Sequence, residues 1–269
     1  MDGFPIERPW GRLHVWRGGA GPTILAIHGL GGSGRYWQGL VDRVGASYRV
    51  VAPDLGGFGG SSRPAIAYDR EFHLGNLDAA VADVSGPIVV VGHSLGGILG
   101  ALWAVRHPDR VQALALVATP YPVAQGSMPT RDQHAAERDR HNPARFIYPG
   151  FQAAWPVVTF PFRSRVFSRA VVRDYMRHSL QSYWGTAQAV MWDEGSVAGI
   201  ATLSEFTGPA LLLSAADDKR VPMADTEQWA ALLPRAEHVT AAGGHQLLLR
   251  SRFAPLATWA MQSNVRPVS

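Results

Sequence analysis

Four apolar residues, 88–91, run straight into Gly92-His93-Ser94-Leu95-Gly96-Gly97, and an apolar segment of helical length follows to position 107. A strand that turns this abruptly into a helix commits the chain to a βα unit, with small residues at the corners of a tight turn. The same rhythm recurs on both sides. Short apolar, β-branched runs at 13–17, 23–28, 48–53, 88–92 and 111–118 read as strands, and 36–44, 72–84 and 95–107 have helical spacing between them. Near-continuous apolar strands joined through helices are the signature of a mainly parallel sheet buried on both faces. The expected class is therefore α/β.

The rhythm stops after position 118. Residues 119–206 carry arginine, aromatic residues and proline in place of strand signals, with helical stretches at 131–140 and 164–183. It then resumes with a strand at 210–214, a helix at 224–233, a strand at 237–241 and a closing helix at 246–261. A sheet pattern that resumes after an interruption describes one α/β core carrying an insertion, and no internal repeat competes with that reading. The expected division is a core of 1–119 and 207–269 with a helical cap of 120–206.

The Gly92 to Gly96 segment is a G-x-S-x-G elbow in its strand-turn-helix context, which lifts a serine hydroxyl clear of the sheet. Serine is a weak nucleophile near neutral pH and needs a base, which in turn needs an orienting acid. His245, in Gly243-Gly244-His245 between the last strand and the last helix, is the expected base. Asp218, at the end of the 210–214 strand and four residues before Pro222, is the preferred acid, with its neighbour Asp217 as the alternative. Side chains adjacent in sequence cannot both face His245.

The order Ser94, Asp218, His245, together with His28-Gly29-Leu30-Gly31-Gly32-Ser33 and Asp54-Leu55-Gly56-Gly57-Phe58-Gly59-Gly60-Ser61-Ser62, resembles the α/β-hydrolase superfamily in its capped, single-domain esterase and lactonase-like branch. The resemblance runs from position 28 to 245 and leaves the cap without a matching motif. It implies the α/β-hydrolase fold, with helices on both faces of a mostly parallel central sheet and a helical cap inserted after the fold's sixth strand. It also implies an oxyanion hole formed by the backbone N–H groups of Leu30 and Leu95, and no cofactor. His28 is read as support for its loop and Asp54 as a turn former. His93 either lines the pocket or packs beneath the elbow.

Residues 120–205 hold 12 of the 26 Trp, Tyr and Phe residues, so the cap is expected to wall an apolar pocket, with Trp155, Trp184 and Trp192 as lining candidates. The expected activity is hydrolysis of a carboxylic ester or lactone of a hydrophobic or aromatic small molecule. Carbon–carbon hydrolases of meta-cleavage diketones, cofactor-free haloperoxidase-like enzymes and acyltransferases use the same residues, as would a hydrolase-like receptor. Serine at 94 argues against the dehalogenase and epoxide hydrolase relatives, which carry aspartate there. Arg165, Arg169, Arg173 and Arg177 fall every fourth residue and read as a solvated helix face.

Zero cysteines exclude disulfides and thiolate chemistry. The ten histidines lack H-x-x-x-H spacing, so no metal site is expected. Of the 25 basic residues 24 are arginine, which raises the pI to about 9.7 while the net charge is only +4. Those arginines form no basic block, so no nucleic-acid partner is expected. With no apolar leader in the first 11 residues and no run of about 18 apolar residues, a soluble cytoplasmic protein with no membrane partner is expected.

Overall fold

Eight strands form one sheet in the order β1-β2-β4-β3-β5-β6-β7-β8 in a computed structural model that describes residues 1–124, 168–248 and 253–263. The strands are β1 (Asp2–Arg8), β2 (Gly11–Gly18), β3 (Thr23–Ile27), β4 (Arg49–Pro53), β5 (Ile88–His93), β6 (Val111–Val117), β7 (Ala210–Ala215) and β8 (Glu237–Ala241). From β4 to β8 every neighbouring pair is parallel, whereas β1 and β2 run antiparallel to their neighbours. The central strands β3 and β5 are buried along their whole length, which is why they read as unbroken apolar runs.

Period two still sorts their side chains between the two helical layers. Leu25, Ile27 and Val90 face a core shared with Leu99 and Trp103, whereas Ile24, Ala26 and Val89 face one shared with Trp37, Leu40, Leu256 and Trp259. The first layer holds α2 (Arg70–Ala80) and α3 (Leu95–Arg106), and the second holds α1 (Gln38–Val44) and α8 (Ala254–Gln262). Helix α7 (Met223–Leu232) joins β7 to β8.

Several boundaries differ from the sequence reading: the closing helix, expected at 246–261, is Ala254–Gln262, with a 3-10 turn at Gly244–Gln246, and three further differences have a local cause. Strand β1 lies where only an apolar-poor terminus was read, because its residues are mostly exposed and carry no burial pattern. Helix α2 begins at Arg70, since the Asp69 carboxylate caps it by accepting from the Phe72 N–H at 2.8 Å. Where a single helix was expected at 164–183, the described residues form a pair of helices, α4 (Arg169–Tyr175) and α5 (Leu180–Met191). Ser179 and Ser182 form a capping box that starts the second one afresh.

That break also takes Arg177 off the helix carrying Arg169 and Arg173, so the arginines do not make one stripe. Helix α6 (Glu194–Ile200) follows α5, and a short 3-10 turn leads into β7. The 131–140 stretch, Trp155 and Arg165 lie outside the described residues. Strands β6 and β7 are direct neighbours, so everything between Val117 and Ala210 is inserted between adjacent strands of the sheet.

Candidate active site

Ser94 sits between the end of β5 and the start of α3 with φ 54° and ψ −128°, a conformation costing about 1–3 kcal/mol for a residue with a side chain. Glycine on either side makes the turn possible. A Cβ on Gly92 would lie 2.2 Å from the Gly96 carbonyl oxygen, and one on Gly96 would lie 2.4 Å from that of Ile27. The turn is anchored to the neighbouring strand by the Ser94 N–H, which donates to the Val117 carbonyl at 2.8 Å.

His245 stands in a 3-10 turn directly after β8, and its Nε2 is 2.9 Å from the Ser94 Oγ. Its Nδ1 is 2.9 Å from the Asp218 Oδ2. A carboxylate can only accept, so Nδ1 carries the proton and Nε2 is left as an acceptor for the serine hydroxyl. Asp218 and His245 are 2% and 11% exposed at their side chains. Burial pushes the Asp218 carboxyl upward, but hydrogen bonds from His245 and from the Val221 and Arg220 N–H groups outweigh it, so the group is held below the ordinary carboxylate range. Asp217 faces elsewhere: its Oδ1 accepts from the N–H groups of Gly243 and Gly244 at 3.1 and 2.8 Å and ties down the loop that carries His245.

The turn carrying Leu30 lies against this group. Gly32 N–H donates to the Gly29 carbonyl at 2.9 Å, and Gly31 has φ +76°, so the third turn residue must be glycine-like and the Leu30 N–H takes no part in closing the turn. A Cβ on Gly29 would stand 3.1 Å from the Ser94 Cβ, which puts the turn beside the serine. Leu95 is the first residue of α3, so its N–H has no carbonyl partner in the preceding turn of its own helix.

His28 accepts from the Leu55 N–H at Nε2 and donates from Nδ1 to the Gly29 carbonyl. Burial lowers its pKa to about 4 and keeps it neutral, in keeping with a supporting role. Asp54 is fully buried, accepting from the Gly34 and Gly60 N–H groups and the Trp16 indole, and thus organises its loop.

His93 is 2% exposed and both its nitrogens are taken by protein partners, Tyr36 Oη at 3.1 Å and the His245 carbonyl at 2.8 Å. Of the two readings open for it, this geometry is that of packing beneath the elbow, because no polar atom of the ring is left for a substrate. Trp184 and Trp192 are half-buried and stack on each other with centroids 6.3 Å apart. The rings of the insertion that reach the Leu30 turn are instead Tyr175 and Tyr183, 2.6 and 3.5 Å from the place of a Cβ on Gly31. No periodicity distinguished these two from the other aromatic residues of the insertion. Asp174, next to Tyr175 on α4 and 2% exposed, accepts from Ser33 Oγ at 3.1 Å and from Arg35 Nε at 2.9 Å. Among the described residues, no group of three or more His, Asp or Glu is gathered as a metal site would require, and no helix is long and apolar enough to cross a membrane.

Known proteins can be set beside this geometry. Residues 22–250 match the family model of the alpha/beta hydrolase fold. A Serratia proteamaculans (strain 568) protein, provisionally named as the carbamate hydrolase RutD, is 28% identical over 240 residues, covering 84% of this chain and 85% of its own. A 2-hydroxymuconate semialdehyde hydrolase of Pseudomonas sp. (strain CF600) is 28% identical over 274 residues, covering 91% and 88%. Among solved structures, an esterase from Exiguobacterium antarcticum superposes with a TM-score of 0.77 at 18% identity, over 97% of this chain and 99% of that one.

Proposed function

We propose that this chain, which belongs to the α/β-hydrolase fold family, is a serine hydrolase that cleaves a carboxylic ester or lactone of a hydrophobic or aromatic small molecule through an acyl-enzyme on Ser94. The observation that carries the reading is the continuous line from Asp218 through His245 to Ser94, with both links at 2.9 Å, at a strained turn beside the Leu30 turn.

In this reading His245 Nε2 takes the Ser94 proton as Oγ attacks the substrate carbonyl, and the developing oxyanion is met by the N–H groups of Leu30 and Leu95. Donors placed in advance at the charge that forms, where water is excluded, are worth about 10²–10³ in rate each. The imidazolium then gives its proton to the departing alcohol. Water repeats the sequence on the acyl-enzyme, with His245 as its base. Asp218, kept anionic, holds the imidazole in the required tautomer and balances its charge. The insertion after β6, taken as 120–206, serves as the cap over this site, and the closeness of Tyr175 and Tyr183 to Gly31 supports that role.

A second reading is hydrolysis of a carbon–carbon bond in a meta-cleavage-type diketone, favoured by the full-length similarity to the semialdehyde hydrolase. The two are separated by assaying p-nitrophenyl esters, lactones and such diketones side by side with the wild type and Ser94→Ala. Ester turnover is expected to fall by about 10³-fold or more in the variant. Unchanged ester turnover in Ser94→Ala would overturn the acyl-enzyme.

A further inference from the structure

Two loops must hold their relative positions for the proposed chemistry: the turn that offers the Leu30 N–H and the loop that carries His245. They come from opposite ends of the chain, and one chain of side-chain hydrogen bonds runs between them. It starts at the Gly29 N–H, which donates to Tyr36 Oη at 2.5 Å. Tyr36 Oη lies 3.1 Å from His93 Nδ1, and His93 Nε2 lies 2.8 Å from the His245 carbonyl oxygen.

Hydrogen-bond chemistry fixes every direction in that chain. A carbonyl only accepts, so His93 Nε2 carries the ring proton and Nδ1 is the acceptor. Tyr36 must therefore donate its hydroxyl proton to Nδ1, which frees its oxygen to accept from Gly29. Each group has one task, and no link can reverse without leaving a buried donor unpaired, which typically costs about 1–3 kcal/mol. Tyr36 and His93 are 6% and 2% exposed. Burial, and then the nearby His245, push the His93 pKa down to about 3, so the ring stays neutral near neutral pH, and its two partners hold it in this tautomer. The ring also packs beside the base, with His93 and His245 centroids 5.3 Å apart.

We propose that Tyr36 and His93 are positioning residues that lock the Leu30 turn and the His245 loop into one register, so that the oxyanion donor and the base approach Ser94 together. Neither touches the substrate. Each acts through the backbone of its partner loop, Tyr36 through Gly29 and His93 through His245. The inference rests on the serine-hydrolase reading and deepens it.

The test combines Tyr36→Phe, His93→Phe and their double variant, each active-site titrated with a fluorophosphonate that labels Ser94. Activity is expressed per labelled site, so that loss of folded protein does not count. Each single variant is expected to lower kcat on a p-nitrophenyl ester by about tenfold with KM changed less than twofold, and the double variant to be no worse than the more affected single one. Such non-additivity is the signature of groups acting as one chain. His93→Gln, whose amide can still donate toward the His245 carbonyl, is expected to recover part of the loss and serves where His93→Phe folds poorly.

Additive losses, or kcat per labelled site equal to that of the wild type, would overturn the inference and leave the serine-hydrolase reading standing. A wild type that is not labelled at Ser94 overturns that reading, and the inference with it.

Discussion

Asp217 and Asp218 are neighbours with opposite duties. Asp218 Oδ2 meets His245 Nδ1, and Asp217 Oδ1 holds the Gly243 and Gly244 N–H groups. An asparagine at 218 keeps the shape but offers an amide that can donate to the imidazole and favour its wrong tautomer, whereas one at 217 keeps an oxygen that can still accept from both glycines. Asp218→Asn is therefore expected to cost about 10³-fold or more in kcat, and Asp217→Asn less than about tenfold. Steady-state kinetics on the two proteins check this, and equal losses would contradict the assignment. At this scale Ser94, His245 and the preference for Asp218 were legible in the sequence, because each sits at a strand end in a motif whose spacing has a mechanical reason. Tyr36 was not. Its hydroxyl bridges the Gly29 N–H and His93, the latter 57 positions away, and nothing local to residues 33–38 announces the contact with His93.

Among the elements, the interior strands were readable because burial on both faces writes itself as an apolar run, while the exposed β1 left no such trace. The insertion was readable as an interruption, but its break at residues 176–179 depends on a serine capping box lying inside an otherwise helical pattern. Helix α4 is joined to the turn after Leu30 through Asp174, which accepts from Ser33 and pairs with Arg35, itself stacked over Trp16 at 4.1 Å. Removing the buried carboxylate in Asp174→Ala leaves the Ser33 hydroxyl and the Arg35 guanidinium without this partner. Amide hydrogen exchange is expected to speed up in α4 and around residues 33–35, while β5 and α3 keep their protection. Uniform change across the sheet would contradict a local joint between α4 and the turn after Leu30.

For the molecule as a whole, a single sheet places Ser94 at the end of β5, Asp218 after β7 and His245 after β8, all along one edge formed by the C-terminal ends of parallel strands. Ligand sites of open α/β sheets gather at that edge because the loops leaving it converge there. The arrangement followed from the order of strands, whereas the placing of the aromatic rings did not. Aromatic residues of the insertion have no fixed register with the sheet, so Trp184 and Trp192 stack on each other while Tyr175 and Tyr183 reach the Leu30 turn.

Covalent acylation of Ser94 during turnover is the step on which the proposed function stands. Rapid acid quench of the enzyme with p-nitrophenyl acetate, followed by mass spectrometry of the intact chain and its peptides, measures this directly. One acetyl group per chain is expected, located on the peptide containing Ser94, absent in Ser94→Ala and accumulating with the initial burst of p-nitrophenol. Rapid ester turnover with no acetyl on Ser94 would contradict it.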